Sequence, residues 1–322
     1  MVPVLGLGFW SIAGAFGGRD DAEAERTIAR AIDLGATFFD TAPSYGDAED
    51  FLGQVLSPSR RARVFLTTKC GIGRDAATDR ARPDGRPETL RSSIEQSLRR
   101  LRCDQVDLLL VHWPDPTVPI DETIDALEAI RRDGLTRYVG VSNFSAAQLR
   151  AACARAPIVC DEVGYNLFDR RWERAMFPTA AELGVGVLAY SPLAHGLLSG
   201  RVEPGTFGPP ERDVRARGGA HSSQRLWDPL NLPRNVALAA RMAELAAQHG
   251  ATLPQAAIAW ALRSPLVACV ITGSQRTSRL EENVASLSVT LPAEAFDALA
   301  DLGQQAAGRV EQIPVWRHEQ SI

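Results

Sequence analysis

The sequence predicts an α/β protein built as a closed (β/α)8 barrel of the TIM type. Three observations carry this. Eight short β-rich runs alternate with longer segments of helical periodicity along 322 residues. Most of the runs are near-continuously apolar, as parallel strands buried on both faces are. Polar residues suited to chemistry stand at the C-terminal ends of successive runs, where such barrels keep their sites. A doubly wound open sheet is the alternative.

The runs are VPVLGLG (2–8), TFFDT (37–41), RVFLTTK (63–69), VDLLLVH (106–112), TRYVGVS (136–142), IVCDEV (158–163), GVGVLAYS (184–191) and LVACVIT (266–272). Helical patterns cover 21–34, 47–56, 88–102, 121–133, 145–155, 170–183, 234–264 with a break near Gly250, and 277–286. The first of these is expected to end at Gly35, a C′ glycine that takes the left-handed conformation. PETLRSSIEQSLRRL opens with Pro87 and Glu88 in its first turn and repeats its apolar residues at helical spacing. Two segments are surplus to eight units. Residues 192–233 form a long Gly-, Pro- and Arg-rich loop after the seventh run, and residues 292–322 form an extra helix and a tail. No repeat or linker is apparent, so residues 1–322 read as a single domain.

Apolar residues make up 45% of the chain and charged residues 23%, as in ordinary globular proteins. No apolar run approaches the ~18 residues of a membrane span, and no signal peptide is seen at the N-terminus. Five scattered cysteines (Cys70, Cys103, Cys153, Cys160, Cys269) include no CxxC pair. They read as reduced thiols of a cytoplasmic protein. A net charge of −4, with acids and arginines interspersed, argues against nucleic-acid binding. His195, His221, His249 and His318 have no cysteine or histidine partner at metal spacing, so no metal is expected. A serine-hydrolase GxSxG is absent. GLGFWSIAG lacks the third glycine of a dinucleotide fingerprint, and no helix is expected to follow it. Oligomeric state is not readable.

One residue stands apart: Lys69 is the only lysine among 35 basic residues. A lysine is a compact point charge whose pKa moves on burial, whereas arginine is broad, planar and permanently charged. The second run ends in Asp40, with Tyr45 five residues on, and the third ends in Lys69. His112 ends the fourth, Ser142 and Asn143 end the fifth, Glu162 lies in the sixth, and Tyr190 and Ser191 end the seventh. The eighth runs into TGSQRTSRLEEN. Such a ring of strand ends points to one site on the barrel axis. Asp40 and Lys69, on adjacent strand ends, are expected to pair and to lower the pKa of the Tyr45 phenol from about 10. A phenol so placed donates a proton to a carbonyl oxygen as charge develops on it, and His112 orients the same oxygen. In GSQRTSRL a strand feeds a helix, and a helix N-terminus with Arg276 and Arg279 nearby suits a phosphate.

LGLGFW, FFDTAPSYG, TTK, DLLLVHWP, GVSNF, YNLF, AYSPL and GSQRTSRLEENV resemble, in order and spacing, the aldo-keto reductases, most closely the longer bacterial ones. The resemblance implies a barrel that binds NADPH, or NADH, in extended form, and a catalytic set of Asp40, Tyr45, Lys69 and His112. It implies hydride transfer between nicotinamide and an aldehyde or ketone. It places Trp10, Asp40, Ser142, Asn143, Glu162, Tyr190, Ser191, Leu193, Gly273, Ser274, Arg279, Glu282 and Asn283 at the cofactor. A small carbonyl substrate is then expected against Trp10, Tyr45, His112 and Trp113.

Three departures follow from the same resemblance. Glu162 stands where the family usually has glutamine, and its charge is expected to disfavour the reduced cofactor. Gly273 stands where many members carry a basic residue for the 2′-phosphate. The N-terminal hairpin that closes the barrel floor is expected to be truncated. A short-chain dehydrogenase is disfavoured because its Tyr and Lys stand four apart on a helix. A cofactor-binding subunit or sensor without catalysis is the alternative on the same barrel. Arg212, Arg215 and Arg217 of the long loop are candidate clamps for an anionic group. Trp172, Trp227, Trp260 and Trp316 are expected to be core fillers or to cover the barrel's exterior.

Overall fold

The computed structural model describes residues 2–75, 80–202, 213, 215 and 224–309. Eight parallel strands close into a barrel: β1 (Leu5–Gly8), β2 (Phe38–Asp40), β3 (Phe65–Cys70), β6 (Val106–Val111), β7 (Thr136–Ser142), β8 (Ile158–Gly164), β9 (Gly186–Tyr190) and β10 (Val267–Gly273). Pairing runs β1-β10-β9-β8-β7-β6-β3-β2 and returns from β2 to β1. Helices α1 (Asp21–Asp33), α2 (Ala48–Val55), α3 (Pro58–Arg61), α4 (Pro87–Leu101), α5 (Ile120–Arg132), α6 (Ala146–Cys153), α7 (Met176–Leu183), α8 (Leu232–Gln248), α9 (Leu253–Leu262) and α10 (Thr277–Ala285) connect them. The extra helix is α11 (Ala293–Gln304). Open-sheet packing is thereby excluded.

Each expected strand is present, and the helix boundaries follow from local chemistry. Gly35 sits at φ 81° after α1, as its C′ role requires. The pattern over 234–264 breaks at Gly250 (φ 73°), and Thr252 with Gln255 forms a capping box that starts α9. The pattern over 170–183 splits into a turn at Arg171–Arg174 and α7. Pro178 explains the split, because its ring clashes with a helical carbonyl four residues earlier, at Arg174.

Several elements depart from the expectation, the short helix α3 among them. A five-residue helical turn, Ser11–Ala15, follows β1, broken by Gly14 at φ 87°. An antiparallel hairpin of β4 (Ile72–Arg74) and β5 (Ala81–Pro83) follows β3. Its charged sequence lacks the apolar alternation that marks a strand.

The inward side chains explain the position of the site. Along the strands, lower inward positions carry Phe38, Leu108, Leu110, Cys160, Leu188, Cys269 and Ile271, which pack together as the barrel interior. The last inward positions are Asp40, Lys69, Ser142, Glu162 and Tyr190, and they change to polar. A second apolar layer, including Leu7, Phe39, Leu66, Leu109, Val139 and Val163, packs outward against the helices. At the opposite end, Phe65 stacks on Phe38 at 5.4 Å and on Tyr138 at 6.2 Å. This aromatic row lies across the barrel floor, and residues 2–4 form no strand ahead of β1.

Candidate active site

Asp40, Lys69 and Glu162 meet at the top of the barrel because β2, β3 and β8 each point their last polar residue inward. Lys69 Nζ lies 2.5 Å from Asp40 Oδ1 and 3.3 Å from Glu162 Oε1, and it also donates to the Thr41 carbonyl at 3.3 Å. All three side chains are almost wholly enclosed, Lys69 being 1% exposed. The Tyr45 ring lies over this ammonium, with Nζ 5.0 Å from its centroid, and meets the His112 ring edge-on at 5.8 Å. Asp40, Tyr45, Lys69 and His112 thus stand together at the top of the barrel.

The electrostatics differ from the expectation in one respect. Burial is the largest influence on the Tyr45 phenol and raises its pKa; Lys69 pulls it down, while Asp40 and Glu162 push it up further. The net shift is upward, contrary to the expected lowering. A phenol so held keeps its proton, which is the state a proton donor needs. Burial likewise raises Asp40 against the pull of Lys69. Lys69 is raised, the two carboxyls outweighing its own desolvation. Burial, followed by the proximity of Asp40, pushes Glu162 up to about 8. The ionised form, whose charge is expected to disfavour the reduced cofactor, is thus itself disfavoured by its surroundings.

One wall is a hydrogen-bonded chain. Ser142 Oγ donates to the Glu162 carbonyl (2.8 Å), Asn143 Nδ2 donates to Ser142 Oγ (2.9 Å), and Tyr190 OH donates to Asn143 Oδ1 (2.9 Å). The Tyr190 ring lies against Gly164, where any Cβ would sit 3.2 Å from it. Among the described residues five non-glycine residues have positive φ, and four of them, Asn143, Ser191, Ala194 and His195, belong to two segments that wall the cavity. Such backbone concentrates where a site imposes geometry.

The cavity is about 440 Å³. It runs from Tyr45, His112 and Trp113, past Trp10, Asp40, Ser142, Asn143, Glu162 and Tyr190, to a far end at Ser274, Arg279, Glu282 and Asn283. Ser191, Leu193 and Gly273 also line it. Every expected site residue reaches the cavity except Lys69, which sits behind Asp40. Gly273 has a packing reason: a Cβ there would come within 2.9 Å of Ser11 Oγ.

At the far end Glu282 accepts from Arg279 (3.3 Å) and from Arg201 (3.0 Å). The α10 N-terminus is not a free anion site, because the Thr277 N–H already donates to Glu23 (2.8 Å). A phosphate there would rely on the arginine side chains. Arg201 was not foreseen, since its contact with Glu282 spans 81 positions and carries no local signal. His195 closes the near wall edge-on to Trp10 at 5.1 Å and Phe16 at 5.9 Å. Arg215 pairs with Asp213 (2.6 Å) and lies over Phe16 and Trp227; Arg212 and Arg217 lie outside the described residues. Trp172, Trp227 and Trp260 are buried in the core, and Trp316, His221 and His318 lie outside the described residues. No group of metal-ligating side chains occurs among the described residues, and no described helix is long and apolar enough to cross a membrane.

The residues fit an extended nicotinamide dinucleotide. The cavity is long, with an aromatic face (Tyr190) and an orphaned buried acceptor (Glu162 Oε2) at one end and guanidinium groups at the other. Comparisons with known proteins identify the family. A profile of the Aldo/keto reductase family matches residues 4–304. Aldo-keto reductase YhdN of Bacillus subtilis is 32% identical over 282 residues, covering 86% of this chain and 82% of its own. The NADH-specific methylglyoxal reductase of Escherichia coli is 29% identical, covering 96% and 95%. The glycerol dehydrogenase AKR11B4 of Gluconobacter oxydans superposes with a TM-score of 0.81 at 30% identity, covering 98% and 96%. With a profile match over nearly its whole length and the same barrel in its structural relatives, the chain belongs to the aldo/keto reductase family of oxidoreductases.

Proposed function

We propose that this protein reduces an aldehyde or ketone to an alcohol with NAD(P)H, or runs the reverse, with Tyr45 as the general acid. The observation that carries the reading is the enclosed Asp40–Lys69 pair beneath the Tyr45 ring, with His112 against that ring. A bound nicotinamide supplies or accepts the hydride. The chain's own residues do the rest. Tyr45 holds its proton until negative charge grows on the substrate oxygen, and the Lys69 ammonium then stabilises the phenolate that donation leaves. His112 orients the oxygen from the next strand end. Trp10 and Trp113 present flat apolar surface, which suits compact or planar carbonyl compounds. The names of two relatives, a methylglyoxal reductase and a glycerol dehydrogenase, span both directions.

NADPH is the preferred cofactor in this reading. Arg279, Arg276 and Arg201 at the far end support it by offering charge to a 2′-phosphate. The whole chain acts as one catalytic domain, and its five free thiols suit a reducing cytoplasm.

The test mixes purified protein, NADPH and a panel of aldehydes, and follows the absorbance of the reduced cofactor. Tyr45→Phe is expected to lose about 10²–10⁴ in turnover while binding NADPH as wild type does. Turnover unchanged in Tyr45→Phe would sink the assignment of the acid, and no turnover on any carbonyl would favour a binding role alone.

A further inference from the structure

Two carboxyl groups share one ammonium in the enclosed floor of the cavity. Asp40 and Glu162 both contact Lys69, and they also act on each other directly across it. Tyr45, Tyr190, Cys160 and Cys269 also feel the Glu162 charge, and none of them supplies a second positive charge. With both carboxyls ionised the cluster would hold a net negative charge at almost no exposure to water. Such a charge is costly, so one proton stays in the cluster. Asp40 has the shorter contact to Lys69 and Glu162 the longer, which assigns the proton chiefly to Glu162. Glu162 Oε2 is buried and makes no hydrogen bond among the described residues, although Glu162 lines the cavity.

We propose that Glu162 is a positioning residue that couples the redox form of the bound cofactor to one proton: it stays a neutral acid against the uncharged reduced ring and becomes a carboxylate against the cationic oxidised ring. The inference rests on the proposed reading of this cavity as a nicotinamide site. The neutral acid both donates and accepts, as an amide would, whereas the carboxylate only accepts and attracts positive charge. A cation entering beside Glu162 replaces the proton as its counter-charge, and the proton leaves to solvent. The enzyme therefore retains oxidised cofactor more strongly as pH rises, and the reduced form gains no such advantage.

The experiment measures dissociation constants of NADPH and NADP+ for wild type and Glu162→Gln from pH 6 to 9, by calorimetry in buffers of different ionisation enthalpy. In wild type the ratio of the oxidised-form to the reduced-form constant is expected to fall by about ten-fold per pH unit wherever a full proton is released, and to level off at the alkaline end of this range. Binding NADP+ near pH 7 is expected to release close to one proton, and binding NADPH close to none. In Glu162→Gln the ratio is expected to be flat and the two forms to release equal numbers of protons. A pH-independent ratio in wild type, or the same slope in Glu162→Gln, overturns the inference alone. Failure of both forms to bind overturns the functional reading with it. Should Glu162→Gln fold poorly, the proton count of wild type decides: equal release with both cofactor forms overturns the inference.

Discussion

Lys69 shows how much one side chain decides. Its ammonium neutralises Asp40, restrains Glu162 and lies beneath the Tyr45 ring. Arginine is too broad to fill that place. Lys69→Met leaves a buried carboxylate without its partner, which costs about 3 kcal/mol at pH 7 and above. The loss shrinks as the pH is lowered to 5, because a carboxyl whose folded-state pKa is raised takes up a proton more readily. Urea denaturation at the two pH values reads the difference; equal losses at both would show that Lys69 stabilises by packing alone. The pairing was legible in the sequence because Asp40 and Lys69 end adjacent runs. The upward shift of Glu162 was not, because it arises only from enclosure beside a second carboxyl.

At the scale of elements, close approach governs. Gly53 of α2 packs against the end of α4, and a Cβ there would lie 2.0 Å from the Arg100 carbonyl oxygen. Gly53→Ala is expected to destabilise by about 1–3 kcal/mol, because a backbone group cannot yield as a flexible side chain does. A thermal midpoint within a degree of wild type would refute this. At the far end of the cavity, the segment after β9 is joined to α10 through Arg201–Glu282, beside Arg279–Glu282. Arg279→Ala is expected to raise the KM for NADPH about ten-fold and to leave that for NADH within about two-fold. Equal effects on both would remove the 2′-phosphate from the reading. The hairpin of β4 and β5 and the Arg201 contact escaped the sequence reading because neither has a periodic or local signature.

For the whole molecule, two sets of carboxyls set the pH dependence of stability. Surface and rim carboxylates bonded to donors sit below their ordinary range, among them Glu23 at about 2, Asp47, Asp84 and Glu128. Their stabilisation is present above the unfolded-state values near 4 and is lost as pH falls. Asp40, Asp161, Glu162 and Asp169 are raised by burial, Glu162 to about 8 and Asp169 to about 6. In this set the folded state holds protons that the unfolded chain releases, so stability falls as pH rises from about 4 toward 8. The midpoint is therefore expected to peak in mildly acid solution and to decline toward pH 8. Burial raises Asp161 well above its ordinary value against the pull of the Phe144 and Asn143 backbone N–H groups, so Asp161→Asn is expected to flatten that decline. Thermal scans from pH 4 to 8 check both statements, and a midpoint that climbs steadily to pH 8 would contradict them.

The order of strands, the barrel and the identity of the polar ring were all legible in the sequence, because continuous apolar runs and their terminal residues are local patterns that a parallel sheet reads directly. Enclosure, and with it the upward shifts of Glu162 and Tyr45, was decided only by the tertiary structure. The cost of a charge depends on what surrounds it in space, and residues from β2, β3 and β8 become neighbours only when the barrel closes.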